Sequence, residues 1–127
     1  MADGRRILLL DDSWISLELT RDGLERRGHK VALAKDLTEF RERLTSFEPE
    51  VILTDLLMPD ISGKDIVKVL KQDFHTEKIP IILYSSKSEE ELSPIADLAG
   101  ADGFISKSEG MDRLCDLVDE LVASILW

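Results

Sequence analysis

Five polar side chains in this sequence are of the types that bind or accept a phosphoryl group. They are three carboxylates, a hydroxyl and an ammonium group, and each lies at the end of a short apolar segment: Asp11, Asp12, Asp55, Ser85 and Lys107. Clustered carboxylates repel one another unless a cation lies between them, and oxygen ligands favour Mg²⁺ or Mn²⁺ over zinc. The metal, the lysine and the hydroxyl would neutralise the charge on a transferred phosphoryl group. Asp55 is the candidate nucleophile, which would form an acyl phosphate.

The segments that position these side chains are predicted to be five parallel strands. Short, continuous apolar runs are typical of strands that are covered on both faces. In open α/β sheets, the carboxyl ends of the strands form the crevice where ligands bind. The five polar residues are therefore expected at one edge of the sheet. The predicted strands cover residues 7–10, 31–34, 51–53, 79–84 and 104–106.

Amphipathic segments after these strands predict five helices. Ser13 and Asp36 are plausible N-caps of the first two helices. The fourth helix is expected to be short, because Ser93 and Pro94 suit the N-cap and the first helical position. The alternation of strands and helices predicts a doubly wound α/β sheet in one domain that spans residues 1–127. The predicted helices cover residues 13–27, 37–47, 63–74, 94–99 and 111–125.

Composition limits the partners and the location of the protein. There are 16 Lys and Arg residues against 26 Asp and Glu residues, and the formal net charge of -10 repels polyanions. Direct binding to nucleic acid or to an anionic membrane is therefore not expected. The single cysteine, Cys115, lies in an apolar helical pattern and is predicted to be part of the core. No apolar run approaches the length of a membrane span or a signal peptide, so a cytoplasmic location is expected.

The chain resembles the receiver domains of bacterial two-component response regulators. The resemblance covers essentially all of the sequence and implies a flavodoxin-like (βα)5 fold with the strand order 2-1-3-4-5. It also implies a signalling module rather than an enzyme. The matching features agree with the family in type, order and spacing: Asp11-Asp12, Asp55-Leu-Leu-Met-Pro59 with Ile61-Ser-Gly63, Ser85 after a strand that contains Pro80, and Lys107 after Gly103-Phe-Ile-Ser.

The resemblance assigns the acidic residues to phosphoryl transfer. It implies that Asp55 takes a phosphoryl group from a phosphohistidine of a sensor histidine kinase. It further implies that Asp12, Asp55 and the backbone carbonyl of Leu57 hold Mg²⁺. Asp11 would contribute mainly through water.

The resemblance also implies a conformational switch. Lys107 would pair with one phosphoryl oxygen, and Ser85 would donate its hydroxyl to another and draw its loop inward. Phe104 would then occupy the vacated space. The surface of the fourth helix, the fifth strand and the fifth helix would report this change to a protein partner.

Two positions depart from the family pattern. Ser108 follows Lys107, where family members usually have a proline in a cis peptide. Because a cis bond without proline costs about 3 kcal/mol, we predict a trans bond here. Phe104 replaces a tyrosine and cannot form a hydrogen bond, so its switching would rest on packing alone; a plain core aromatic is the alternative.

Two other functions remain open. A pseudo-receiver would keep the fold as a binding module without being phosphorylated, although the intact acidic residues and Lys107 oppose this. A metal-dependent phosphatase with an Asp nucleophile is less favoured, because one such family needs Asp-x-Asp after the first strand. Here Asp11 is followed by Asp12 and then Ser13.

Several residues have simpler interpretations. Asp55 could be an N-cap or turn residue at a strand exit. Tyr84 is expected in the core and Lys87 on the surface. His29 and His75 lie beside turns and are expected to be solvated rather than metal ligands.

Overall fold

Five parallel strands form the centre of the protein in this computed structural model, which describes residues 4–55, 63–73 and 76–125. The strands are β1 (Arg6–Leu10), β2 (Lys30–Ala34), β3 (Val51–Asp55), β4 (Ile81–Ser85) and β5 (Gly103–Ser106). Their order across the sheet is β2-β1-β3-β4-β5, and each neighbouring pair is parallel. This order confirms the predicted flavodoxin-like fold.

Five α-helices and one 3₁₀ turn connect or follow the strands. The helices are α1 (Trp14–Arg26), α2 (Leu37–Ser46), α3 (Gly63–Gln72), α4 (Glu89–Ala99) and α5 (Met111–Ile125), and the 3₁₀ turn is Lys107–Glu109. Both predicted N-caps are confirmed, because Ser13 accepts from the N–H of Ser16 and Asp36 accepts from the N–H of Glu39. These caps satisfy backbone donors that have no partner inside the first helical turn.

The prediction of a short fourth helix is wrong. Helix α4 begins at Glu89, and Pro94 lies inside it. Ser88 and Glu91 form a capping box, in which each side chain accepts from the backbone N–H of the other. Three glutamates in the first turn also suit the positive end of the helix dipole. The capping box therefore sets the start of the helix, even though Pro94 cannot donate to the preceding turn.

The core consists of two apolar layers, one on each face of the sheet. Alternate side chains of β1 contribute to different layers, Leu8 and Leu10 to one and Ile7 and Leu9 to the other. Helices α2, α3 and α4 cover the first layer, while α1 and α5 cover the second. Cys115 is buried in the second layer, as predicted. With both faces covered, ligands can reach the sheet at its edges, where the strands end.

Strand β4 differs from the prediction at both ends, because it begins two residues later and ends one residue later. The strand begins at Ile81 and includes Ser85, so Pro80 lies just before it. The carbonyl of Pro80 still accepts from the N–H of Ile52 on β3. Among the described residues, no helix is long and apolar enough to cross a membrane.

Candidate functional site

Three carboxylates converge where β1 and β3 end. Asp11 and Asp12 directly follow β1, and Asp55 is the last residue of the neighbouring strand β3. One carboxylate oxygen from each residue lies within 4.8 Å of those of the other two. Asp11 and Asp55 are buried, whereas Asp12 is exposed. This set of oxygen atoms has the chemistry and the spacing to hold a hard divalent cation.

Lys107 reaches this cluster from the far side of β4. It follows β5, yet its Nζ lies 2.9 Å from Oδ2 of Asp11 and 3.6 Å from Oδ2 of Asp55. Among the described residues, this ammonium group thus lies close to two of the three carboxylates. These four groups keep an excess of negative charge, which a bound cation would offset.

The carboxylate of Asp11 is held by several donors. Its Oδ1 accepts from the backbone N–H of Ser13 at 2.9 Å, and its Oδ2 accepts from Lys107 and from the hydroxyl of Tyr84. Burial by itself would raise the pKa of Asp11, but hydrogen bonds from Ser16, Ser13 and Lys107 outweigh burial and lower the pKa below its ordinary value. Asp11 is therefore ionised at neutral pH and contributes a full negative charge to the site.

Tyr84 also belongs to this site, although the sequence predicted only a position in the core for it. The side chain is buried as expected, but its hydroxyl donates to Oδ2 of Asp11 at 3.1 Å, and Nζ of Lys107 lies 4.8 Å from the centre of its ring. Burial raises the pKa of Tyr84 well above its ordinary value, and the charge of Asp11 raises it further, so the phenol stays a neutral donor. One feature of the sequence could have predicted this role. Tyr84 lies near the end of an aliphatic strand, and a buried tyrosine hydroxyl needs a hydrogen-bond partner.

Ser85 lies at the same edge of the sheet but one residue further along. In the parallel register, Asp55 is opposite Tyr84, and Ser85 is opposite Ser106. The Ser85 hydroxyl is buried and accepts from the backbone N–H of Lys87 at 3.2 Å. Because a hydroxyl has one proton as well as its acceptor sites, this bond leaves the proton available for donation.

Phe104 lies on the other side of the sheet from Tyr84. It is half-buried and packs against the core layer formed with α2, α3 and α4, next to Leu83 of β4. The predicted switch residue therefore packs against the core layer to which α4 contributes. The other predicted ligand, the carbonyl of Leu57, lies outside the described residues.

A local turn sets the direction of the chain around Lys107. The Ser106 side chain accepts from the N–H of Ser108 at 3.3 Å, and the two hydroxyl oxygens are 2.8 Å apart. The described part of the chain contains no cis peptide bond, so the bond between Lys107 and Ser108 is trans, as predicted.

His29 is not solvated, contrary to the prediction. It is buried at the opposite edge of the sheet, where the N–H of Arg5 donates to Nδ1 and Nε2 lies 2.8 Å from Oδ1 of Asp119. Because Nδ1 is an acceptor, Nε2 carries the proton and donates to Asp119. His75 lies outside the described residues.

Comparison with known proteins identifies relatives that cover most of the chain. The family model described as "Response regulator receiver domain" matches residues 7–119. The chain is 32% identical over 104 residues to the phosphate regulon transcriptional regulatory protein PhoB of Pseudomonas aeruginosa, covering 82% of this chain and 45% of that relative. It is 27% identical to Protein PilH of the same organism, covering 93% of this chain and 98% of PilH.

A solved structure has a similar fold. The signal receiver domain of a signal transduction histidine kinase from Syntrophus aciditrophicus superimposes with a TM-score of 0.85 at 27% identity, covering 96% of this chain and 92% of that one. The chain spans less than half the length of PhoB and nearly all of PilH. The similarity therefore applies to the unit that carries the acidic cluster.

Proposed function

The chain belongs to the response regulator receiver domain family, and on that premise we propose that it is a signalling module controlled by phosphorylation of Asp55. The observation that carries this proposal is the excess of negative charge at the ends of β1 and β3, where Asp11, Asp12 and Asp55 face Lys107. A site with this charge is suited to hold a cation and to receive a phosphoryl group.

The proposed reaction uses the carboxylate of Asp55 as a nucleophile. One of its oxygens attacks the phosphorus of a phosphohistidine on a sensor histidine kinase. The new O–P bond forms as the P–N bond breaks, and the imidazole leaves with the bonding electron pair and takes up a proton from solvent. The product is an acyl phosphate on Asp55.

The oxygen ligands of the site fit Mg²⁺, or Mn²⁺ in its place. Asp12 and Asp55 would bind the ion directly and Asp11 through water, together with the carbonyl of Leu57. When bound, the ion would neutralise charge on the phosphoryl oxygens. The fit is supported by a donor set made only of oxygens that lie within 4.8 Å of one another.

Lys107 and Ser85 would respond to the new phosphoryl group. In the structure Lys107 pairs with Asp11 and Asp55, and it would exchange one of these contacts for a phosphoryl oxygen. Ser85 would donate its proton to another oxygen and draw the loop before α4 towards the site. Phe104 packs against the core layer to which α4 contributes, so its packing would transmit the change.

The proposed output surface consists of α4, β5 and α5. Leu98 on α4 is 81% exposed, an apolar side chain that a protein partner could cover. The net charge of -10 supports a protein partner over nucleic acid or an anionic membrane. The cytoplasmic location stays a prediction.

Intact-mass spectrometry tests the chemistry. We expect the wild type, incubated with Mg²⁺ and acetyl phosphate, to gain the mass of one phosphoryl group, and Asp55→Asn to gain none. Asp97→Asn is the matched control, because Asp97 is exposed on α4, and it should behave as the wild type. Equal labelling of Asp55→Asn, or no labelling of the wild type, would contradict the proposal.

Amide NMR spectra test the proposed switch. Addition of Mg²⁺ and beryllofluoride, a phosphoryl mimic, should shift the amide signals of α4, β5 and α5 more than those of α2. Ser85→Ala should reduce the shifts in α4 while leaving beryllofluoride bound. Shifts confined to residues next to Asp55 would contradict the switch but not the phosphorylation.

A further inference from the structure

Tyr84 touches both the negative and the positive members of the site. Its hydroxyl lies 3.1 Å from Oδ2 of Asp11, and its ring centre lies 4.8 Å from Nζ of Lys107. The ammonium group is itself 2.9 Å from the same Asp11 oxygen. Tyr84 also lies opposite Asp55 in the sheet. One side chain therefore links the strands that carry the acidic residues to the residue that follows β5.

We propose that Tyr84 is a positioning residue of this site: its hydroxyl orients the carboxylate of Asp11, and its ring supports the ammonium group of Lys107. For its relevance to phosphorylation, this inference rests on the proposed function. Its two contacts can nevertheless be tested in the unphosphorylated protein.

The hydroxyl is suited to orient Asp11 because the carboxylate is completely buried. Ser13 donates to Oδ1, while Tyr84 and Lys107 share Oδ2. If Lys107 turns towards a phosphoryl oxygen, Oδ2 loses one of these donors. Tyr84 would remain and keep the carboxylate in the same orientation. A donor that forms a hydrogen bond with a metal-binding carboxylate, without binding the metal itself, influences how tightly the metal binds.

The ring is suited to support Lys107 because its centre lies 4.8 Å from Nζ, with the ammonium group over the ring. Lysine has a flexible four-carbon stem, and Lys107 must extend across β4 to reach Asp11. The face of an aromatic ring attracts an ammonium group within about 6 Å of its centre, and the contact is stronger where water is partly excluded. Tyr84 lies on β4, directly along the path of Lys107.

Two substitutions separate the hydroxyl from the ring. Tyr84→Phe removes only the hydroxyl, and Tyr84→Leu removes the ring as well. Ile82→Val is the matched control, because Ile82 lies on the same strand and in the same core layer but away from the carboxyl end. All measurements would be made at a temperature where urea titration shows each variant to be folded.

Calorimetric titration with MgCl₂ alone tests the hydroxyl. We expect both Tyr84 variants to bind Mg²⁺ about tenfold more weakly than the wild type, because the Asp11 carboxylate loses one of the donors that orient it. Ile82→Val should lose stability without a change in Kd. An unchanged or tighter Kd in Tyr84→Phe would overturn the role of the hydroxyl.

NMR of the Lys107 side chain tests the ring in the same phosphate-free samples. The Hε protons of Lys107, assigned by their loss in Lys107→Met, should show an upfield ring-current shift in the wild type and in Tyr84→Phe. Tyr84→Leu should abolish the shift. Ordinary lysine shifts in the wild type would overturn the support of Lys107 by the ring.

The rate of phosphorylation by acetyl phosphate at saturating Mg²⁺ tests whether the two contacts contribute to function. Tyr84→Leu should react about tenfold more slowly than Tyr84→Phe, because a displaced Lys107 neutralises the phosphoryl oxygens less well. Equal rates would overturn the contribution of the ring to the reaction. If the wild type takes up no phosphate, the proposed function fails, and the calorimetric and NMR results still decide the positioning role.

Discussion

The two rims of the sheet differ in how their charged side chains are arranged. At the carboxyl rim, where the strands end, Lys107 faces the carboxylates of Asp11, Asp12 and Asp55. At the amino rim, where the strands begin, cations and anions meet in close pairs. Among the described residues, the ion pairs there are Arg5 with Glu50 at 3.0 Å, Arg6 with Glu50 at 3.4 Å and Lys71 with Asp102 at 2.7 Å, while neutral His29 donates to Asp119 at 2.8 Å.

This difference separates charges that stabilise the fold from charges that serve a ligand. Asp102 illustrates the first kind, because the same oxygen accepts from Lys71 and from the backbone N–H of Ile81. Asp12 and Asp55 illustrate the second kind, because they lie close to other carboxylates. In the absence of metal, removing a carboxylate charge at the amino rim should therefore lower the free energy of unfolding. Removing one at the carboxyl rim should raise it.

Asp102→Ala should give the largest effect. The substitution removes the acceptor for the N–H of buried Ile81 and leaves Lys71 without its carboxylate. We expect the free energy of unfolding to fall by about 2 kcal/mol, since an unsatisfied buried donor costs about 1–3 kcal/mol. Urea unfolding in EDTA measures this. The exposed Asp97→Ala on α4 is the control and should change stability little; a similar loss in both variants would show that the amino-rim contacts are unimportant.

Mg²⁺ should stabilise the wild type through the carboxyl rim. At a Mg²⁺ concentration ten times the Kd, mass action predicts a gain of about 1.4 kcal/mol in the free energy of unfolding. Asp102→Ala should keep this gain, because its site lies at the other rim. Asp55→Asn should lose most of it at the same concentration. Thermal and urea unfolding with and without MgCl₂ provide the measurement, and an equal gain in Asp55→Asn would place the ion elsewhere.

Asp55→Asn should stabilise the protein when EDTA removes metal. The substitution relieves repulsion from Asp11 and Asp12, although it also weakens attraction to Lys107 at 3.6 Å. Because two other carboxylates have oxygens within 4.8 Å of an Asp55 oxygen, we expect a gain of about 1 kcal/mol in the free energy of unfolding. Asp97→Asn is again the exposed control. A clear loss of stability in Asp55→Asn would mean that its hydrogen bonds outweigh the repulsion.

Glu50→Gln should give the smallest effect, and one that depends on pH. Burial alone would raise the pKa of Glu50, but the backbone N–H of Arg6 and the side chains of Arg5 and Arg6 outweigh burial and lower the pKa below the ordinary value of 4.5. A lowered pKa stabilises the fold above pH 4.5, and this contribution is lost as the pH falls through the pKa of the folded state.

The expected difference between wild type and Glu50→Gln is about 0.5 kcal/mol at pH 7, because these groups are partly exposed and solvent screens them. The difference should shrink as urea unfolding is repeated at lower pH. A difference that stays constant down to pH 3 would assign the effect to packing rather than to the charge of Glu50.

The fold and much of the site could be predicted because their signals are local. Apolar runs and helical spacing gave the five strands and four of the five helices close to their observed positions. The remaining helix, α4, also had a local signal, Ser88 with Glu91, but Pro94 offered a competing start. Capping geometry decides such a conflict, because the satisfied N–H groups of Ser88 and Glu91 can outweigh one missing donor inside the helix.

The sequence by itself determined that Asp11, Asp12, Asp55 and Lys107 would lie at one rim, since parallel strands end at the same edge of a sheet. Only the tertiary structure decided which polar atoms meet there. The hydroxyl of Tyr84 reaches Asp11 across 73 positions of the chain, and His29 reaches Asp119 across 90. Such contacts depend on the register of strands and on helix packing, which distant parts of the chain set together and no local pattern contains.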